Sequence, residues 1–149
     1  MSEPRDVLPH REPFLFLDEI DSIDLDAHVV TARRRFRADE PYFAGHFPPP
    51  LEPIVPGVLL VEAMAQMLAC YARTLRPGAM VALTGIDKAR FRGLVRPGDE
   101  VELTLRVEGE TLGVYRARGE AKVGGKRVCN ATVSGAFLEP PHDAGAEDA

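Results

Sequence analysis

"GVLLVEAMAQMLACYARTL", residues 57 to 75, is dominated by Leu, Ala, Met, Glu and Gln and stops ahead of "RPG" at 76 to 78. Strong helix formers followed by a breaker pair predict one helix over 57–75. From Val58 to Tyr71 only Glu62 and Gln66 are polar. A helix that is apolar nearly all round is a buried one, and in a chain of 149 residues a sheet must wrap it.

The second half of the chain supplies that sheet. Val101, Leu103, Leu105 and Val107 alternate with charged or polar neighbours in a two-residue period, and Tyr115, Ala117, Gly119, Ala121 and Val123 do the same. Beyond the Gly124-Gly125 turn signal, Cys129, Ala131, Val133 and Phe137 share one face while Asn130, Thr132 and Ser134 share the other. These are three long antiparallel strands. "MVALTGI" (80–86) reads as a further strand, with "KARFRGLV" (88–95) and "RPGD" (96–99) as a strand edge and its turn. Upstream, "FLFLDEI" (14–20) and "HVVTARRRF" (28–36) are rich in branched and aromatic residues and read as an early strand or a turn plus strand. The basic run "ARRRFR" (32–37) reads as a solvated strand or loop face. The expected fold is α+β: a long central helix wrapped by a curved antiparallel sheet of five to six strands. It forms a single domain over residues 1–138, with 139–149 as a disordered tail.

A net charge of −5 argues against a nucleic-acid partner. Cys70 and Cys129 sit among apolar neighbours without a CxxC pair, which suits buried thiols in a reducing cytosol. The first ten residues, "MSEPRDVLPH", do not resemble a secretory signal. No apolar run reaches the roughly 18 to 20 residues of a membrane span without a polar break. A soluble, cytoplasmic protein with no membrane association is expected.

Glu62 and Gln66 lie one turn apart on a single helix face. A carboxylate within an apolar shell favours its protonated form, which is a good proton donor. From the helix alone, that face serves equally well as a subunit interface or a solvated stripe. The preceding loop, "DEPYFAGHFPPPLEPIVPG" (39–57), adds chemistry. Prolines at 48, 49, 50, 53 and 56 make it a stiff connector or a lid, and His46 stands between a glycine and the first of them. The backbone N–H groups of Gly57 and Val58, at the helix start, suit negative charge developing on a carbonyl oxygen. A base, an acid and an oxyanion site within one short span fit removal of a proton next to a carbonyl, with help for a leaving group on the next carbon.

"LPHREPFLFLDEI" (8–20), "EPYFAGHFP" (40–48), "PIVPGVLLVEAMAQ" (53–66) and "GIDKARFRGLVRPGDEVEL" (85–103) occur in that order. Together they resemble the 3-hydroxyacyl-acyl-carrier-protein dehydratases of type II fatty-acid synthesis, the glutamate-bearing branch of the hot-dog dehydratases, from about Leu8 to Phe137. The resemblance implies a hot-dog fold, and homodimers, or trimers of dimers, with active sites between subunits. It implies His46 as the base at C2 of a (3R)-3-hydroxyacyl thioester and Glu62, from the other subunit, as the acid for the departing 3-hydroxyl. It gives Gly57 the thioester carbonyl, while the spacing of Gln66 suits it to orienting Glu62. The substrate would arrive on an acyl carrier protein, with Lys88, Arg90, Arg92 and Arg96 as candidates to receive that acidic partner. No cofactor and no metal are implied.

One departure from the family pattern stands out: "GHFPPPLEPIVPG" holds two extra residues between Pro48 and Pro53, which bears on the range of substrates and on the mouth of the apolar acyl tunnel that the resemblance implies beside the helix. Glutamate at 62, where related dehydratase-isomerases carry aspartate, points away from isomerisation. His10, in the first block, reads as structural, anchoring a turn. The alternatives are a hot-dog thioesterase, in which the helix carboxylate activates water, and a non-catalytic acyl-binding subunit. The presence of both His46 and Glu62 counts against the last.

Overall fold

The computed structural model describes residues 2–138; the tail expected at 139–149 lies outside them. A single helical turn, α1 (Pro4–Val7), precedes strands β1 (Glu19–Asp24) and β2 (Val29–Arg35). A loop with one 3-10 turn (Pro41–Ala44) leads into the long helix α2 (Gly57–Leu75). Strands β3 (Met80–Phe91), β4 (Glu100–Thr111), β5 (Val114–Val123) and β6 (Lys126–Leu138) complete the chain.

The six strands form one antiparallel sheet in the order β1-β2-β4-β5-β6-β3, curled around α2. This is the hot-dog fold. Inward positions are those of the two-residue period: Val101, Leu103 and Leu105 on β4 and Ala117 and Ala121 on β5 are buried, while their alternates face water. Eleven of the nineteen residues of α2 are buried, including Met64, Met67 and Leu68, each worth about 1.5–3 kcal/mol in removed apolar surface. By length and hydropathy alone α2 would cross a membrane, but the sheet covers most of its surface.

Close packing of helix on sheet has a sequence cost at Gly119. A Cβ there would stand 2.5 Å from Met64 Sδ, so only glycine lets α2 settle on β5. The β5–β6 hairpin turns at Gly124 and Gly125, both at positive φ (57° and 81°), as a two-residue loop between twisted strands requires.

Two expectations are corrected. Phe14–Leu17 is not part of a strand; β1 begins only at Glu19. The segment instead lies against α2, with Leu15, Phe16 and Leu17 buried and backbone groups of Phe14 and Phe16 satisfied by the Gln66 side chain. The run "ARRRFR" is not uniformly solvated either. Arg34 follows Val30 and Ala32 on the inward face of β2, and it is only 4% exposed. It is tolerated there because Asp18 and Glu40 neutralise it and the Phe36 ring lies 4.5 Å from its guanidinium carbon.

Candidate active site

The loop that carries His46 is pinned at both ends. Glu40 pairs with the buried Arg34 and accepts the Arg37 backbone N–H at 2.6 Å, which fixes the start of the 3-10 turn. The Val55 N–H donates to the Val95 carbonyl at 2.7 Å, which fixes the approach to α2. Between these anchors the chain makes a turn in which Leu51 N–H donates to the Pro48 carbonyl at 3.0 Å. That turn leaves the Ile54 carbonyl 3.0 Å from His46 Nδ1. A carbonyl only accepts, so Nδ1 is the donor in this contact, and in the neutral ring Nε2 is the nitrogen with the lone pair.

α2 begins without a side-chain cap: Pro56 occupies that position. The Leu59 N–H turns back to the Pro56 carbonyl at 3.0 Å, and the N–H groups of Gly57 and Val58 precede it as the open end of the helix. The half-exposed Phe91 ring packs against Gly57, where a Cβ would stand 2.6 Å from its Cδ1. Val58 is 67% exposed.

Val58, exposed, and Glu62 and Ala65, half-buried, follow one another along one face of α2 as a stripe that is not fully covered. Glu62 Oε1 accepts the Gln66 Nε2–H at 3.0 Å. Gln66 cannot be turned round: its Oε1 takes the Phe16 N–H at 2.9 Å and its Nε2 donates to the Phe14 carbonyl at 2.9 Å. One side chain thus ties the extended segment to the helix and holds the carboxylate. The Glu62 carboxylate opens into a cavity of about 70 Å³ whose walls include His10, Leu68, Val81 and Leu83.

His46 does not line that cavity. The structure therefore brings Glu62 and Gln66 together, puts Gly57 and Val58 at the first turn of the same helix, and leaves His46 outside the Glu62 cavity within one chain. His10, which the sequence alone marks as a turn anchor, lies beside the carboxylate: its Nε2 is 3.9 Å from Glu62 Oε1. Burial holds the His10 pKa below the ordinary histidine value; Glu62 pulls upward and Arg73 adds to the lowering. The signal was its place in the first sequence block, which the fold lays across α2.

A larger open groove, about 540 Å³, crosses the outer face of the sheet between Lys88, Arg106, Arg116 and Arg118. Asp87 and Glu108 pair with Arg116 and Arg118, and the groove brings no histidine or cysteine together with its carboxylates. Lys88, Arg90, Arg92 and Arg96 are all exposed. Only Lys88 belongs to this groove; Arg92 is bonded to Asn130 at 3.0 Å and Arg96 is paired with Glu52 of the His46 loop at 3.7 Å.

A curled sheet around one helix, with a histidine on the loop before that helix and a carboxylate on its partly open stripe, defines a protein of the hot-dog class. A family model described as a FabA-like domain matches residues 8–132, and the chain belongs to that family. It is 38% identical over 143 residues to the 3-hydroxyacyl-[acyl-carrier-protein] dehydratase FabZ of Alkaliphilus metalliredigens, covering 95% of each chain. With the enzyme of the same name from a Thermoanaerobacter species it shares 42% identity over 122 residues, 80% of this chain and 84% of that one. Among solved structures, the dehydratase heterocomplex ApeI:P from Xenorhabdus doucetiae superposes with a TM-score of 0.77 over 93% of both chains, at 16% identity, a likeness of fold alone.

Proposed function

We propose that this protein dehydrates (3R)-3-hydroxyacyl thioesters carried on acyl carrier protein to the trans-2-enoyl thioesters, in fatty-acid or related acyl-chain synthesis in the cytoplasm. The observation that carries the reading is the His46–Ile54 hydrogen bond, which turns a loop histidine into an oriented base just ahead of an uncapped helix start. His46 Nε2 takes the proton from C2, and the C–H electrons become the C2–C3 double bond. The C3–O bond breaks, and the hydroxyl leaves as water with a proton from Glu62. The Gly57 N–H, with that of Val58 beside it, stabilises the negative charge that grows on the thioester oxygen. His46 ends protonated and Glu62 ionised; a proton passing from one to the other resets the site.

The acid and the base belong to different subunits of a homodimer in this reading. β3 supports it: this edge strand of twelve residues exposes Leu83, Ile86 and Phe91, an apolar margin suited to pairing with a second copy. The open stripe of Val58, Glu62 and Ala65 then meets the partner and its His46. Arg96 and Arg92, near the loop and the β3 end, offer positive charge to an acidic carrier protein.

The test is incubation with a trans-2-enoyl thioester on acyl carrier protein, read by mass spectrometry. A product heavier by one water supports the proposal. Release of a free acid, or no change with short and long chains alike, contradicts it.

A further inference from the structure

His10 stands with its Nε2 3.9 Å from Glu62 Oε1, the same oxygen that Gln66 Nε2 holds at 3.0 Å. The other ring nitrogen, Nδ1, is buried and has no hydrogen-bond partner. A proton on Nδ1 would be a buried N–H with nothing to receive it, so the neutral ring keeps its single proton on Nε2, facing the carboxylate. The charged groups around this ring are Glu62 and Arg73; burial and Arg73 both oppose the imidazolium, which would put a proton on each nitrogen.

We propose that His10 is a positioning residue for Glu62: its Nε2–H and that of Gln66 both donate to Oε1 in the working site, leaving Oε2 as the oxygen that delivers the proton to the substrate hydroxyl. A separation of 3.9 Å is beyond a hydrogen bond, and closure by about 1 Å completes it, as catalytic contacts tighten when substrate binds. A neutral donor suits this task. A cation in the same place would hold Glu62 as carboxylate, whereas an uncharged N–H orients the acid and leaves its proton in place. Gln66 cannot do this alone, because its remaining donor and its acceptor are committed to Phe14 and Phe16.

The inference rests on the reading of Glu62 as the proton donor, and two measurements keep the claims apart. In steady-state kinetics on the enoyl thioester, His10→Phe is expected to lower kcat about tenfold with KM within about twofold, and His10→Gln, which restores an N–H at similar reach, to recover most of the loss. Nitrogen-15 NMR of histidine-labelled wild-type protein is expected to show position 10 neutral and protonated on Nε2 at pH 7. An active wild type matched in kcat by His10→Phe, or an Nδ1–H tautomer or imidazolium at position 10, overturns the inference while leaving the dehydratase reading intact. A folded wild type with no hydration activity removes that reading, and the positioning role falls with it.

Discussion

His46 Nδ1 lies 3.0 Å from the Ile54 carbonyl oxygen, a contact made within one loop by residues on either side of its proline turn. That contact settles the tautomer before any substrate arrives. His46→Ala is therefore expected to lower turnover by roughly 10²–10⁴-fold, the range of a general base. His46→Asn, which restores a donor to Ile54 but no base, should be equally inactive. Both variants should melt within a few degrees of wild type, because the ring is part-exposed and makes a single bond. Turnover near the wild-type rate in either variant would show that the base lies elsewhere.

Glu62 and Gln66, one turn apart, should respond oppositely to substitution. Glu62→Gln removes an acid and keeps a side chain of the same shape, so activity is lost and stability stays near wild type. Gln66→Leu strips partners from the Phe14 carbonyl and the Phe16 N–H, each at a cost of about 1–3 kcal/mol. Its denaturation midpoint should drop clearly. Equal stabilities of the two variants, measured by chemical denaturation, would refute the division of labour.

Arg34 gives a third expectation. Arg34→Ala leaves Glu40, whose side chain is only 9% exposed, and Asp18 without their cation, at about 3–5 kcal/mol. Because Glu40 anchors the His46 loop, activity should fall as well, even at temperatures where the variant remains folded. A stable and fully active Arg34→Ala protein would sever the link drawn between this ion cluster and the site.

The pH dependence of stability carries a signature of His10. Its folded pKa is held below the ordinary 6.5, so as pH falls through 6.5 the unfolded chain binds a proton at this position that the folded chain does not. That contribution to stability is complete above 6.5 and is lost as pH falls towards the folded value. Wild type should lose melting temperature relative to His10→Gln on acidification below pH 6.5. Parallel profiles for the two proteins would mean that His10 titrates normally.

Much of this architecture is legible in the sequence because helix and strands have different periods. The bounds of α2, Gly57 and Leu75, follow from composition and the breaker after it. The buried faces of β4 and β5 follow from alternation, and on β6 it finds Cys129, Ala131 and Val133 but misses Thr132, which is buried on the other face. Local pattern fails where a partner distant in sequence decides. Phe14–Leu17 has strand composition, yet the Phe14 carbonyl and the Phe16 N–H are taken by the side chain of Gln66, 50 residues from Phe16. Arg34 reads as solvated until Asp18 and Glu40 are placed around it. The β4–β5 turn hides because Leu112 adopts a positive φ of 53° without being a usual turn residue. His46 and Glu62 announce themselves by residue type and context, whereas the approach of His10 to Glu62 becomes visible only once the first block is laid across α2.

The most direct measurement is co-expression of His46→Ala and Glu62→Gln chains, each inactive alone, with the mixed assembly assayed for hydration of the enoyl thioester. If the site is shared between subunits, a mixed dimer joins an intact His46 from one chain to an intact Glu62 from the other at one of its two sites. Random pairing then restores about a quarter of wild-type activity. Mixed assemblies that form and stay inactive would contradict the account, because His46 and Glu62 would then not meet across the dimer.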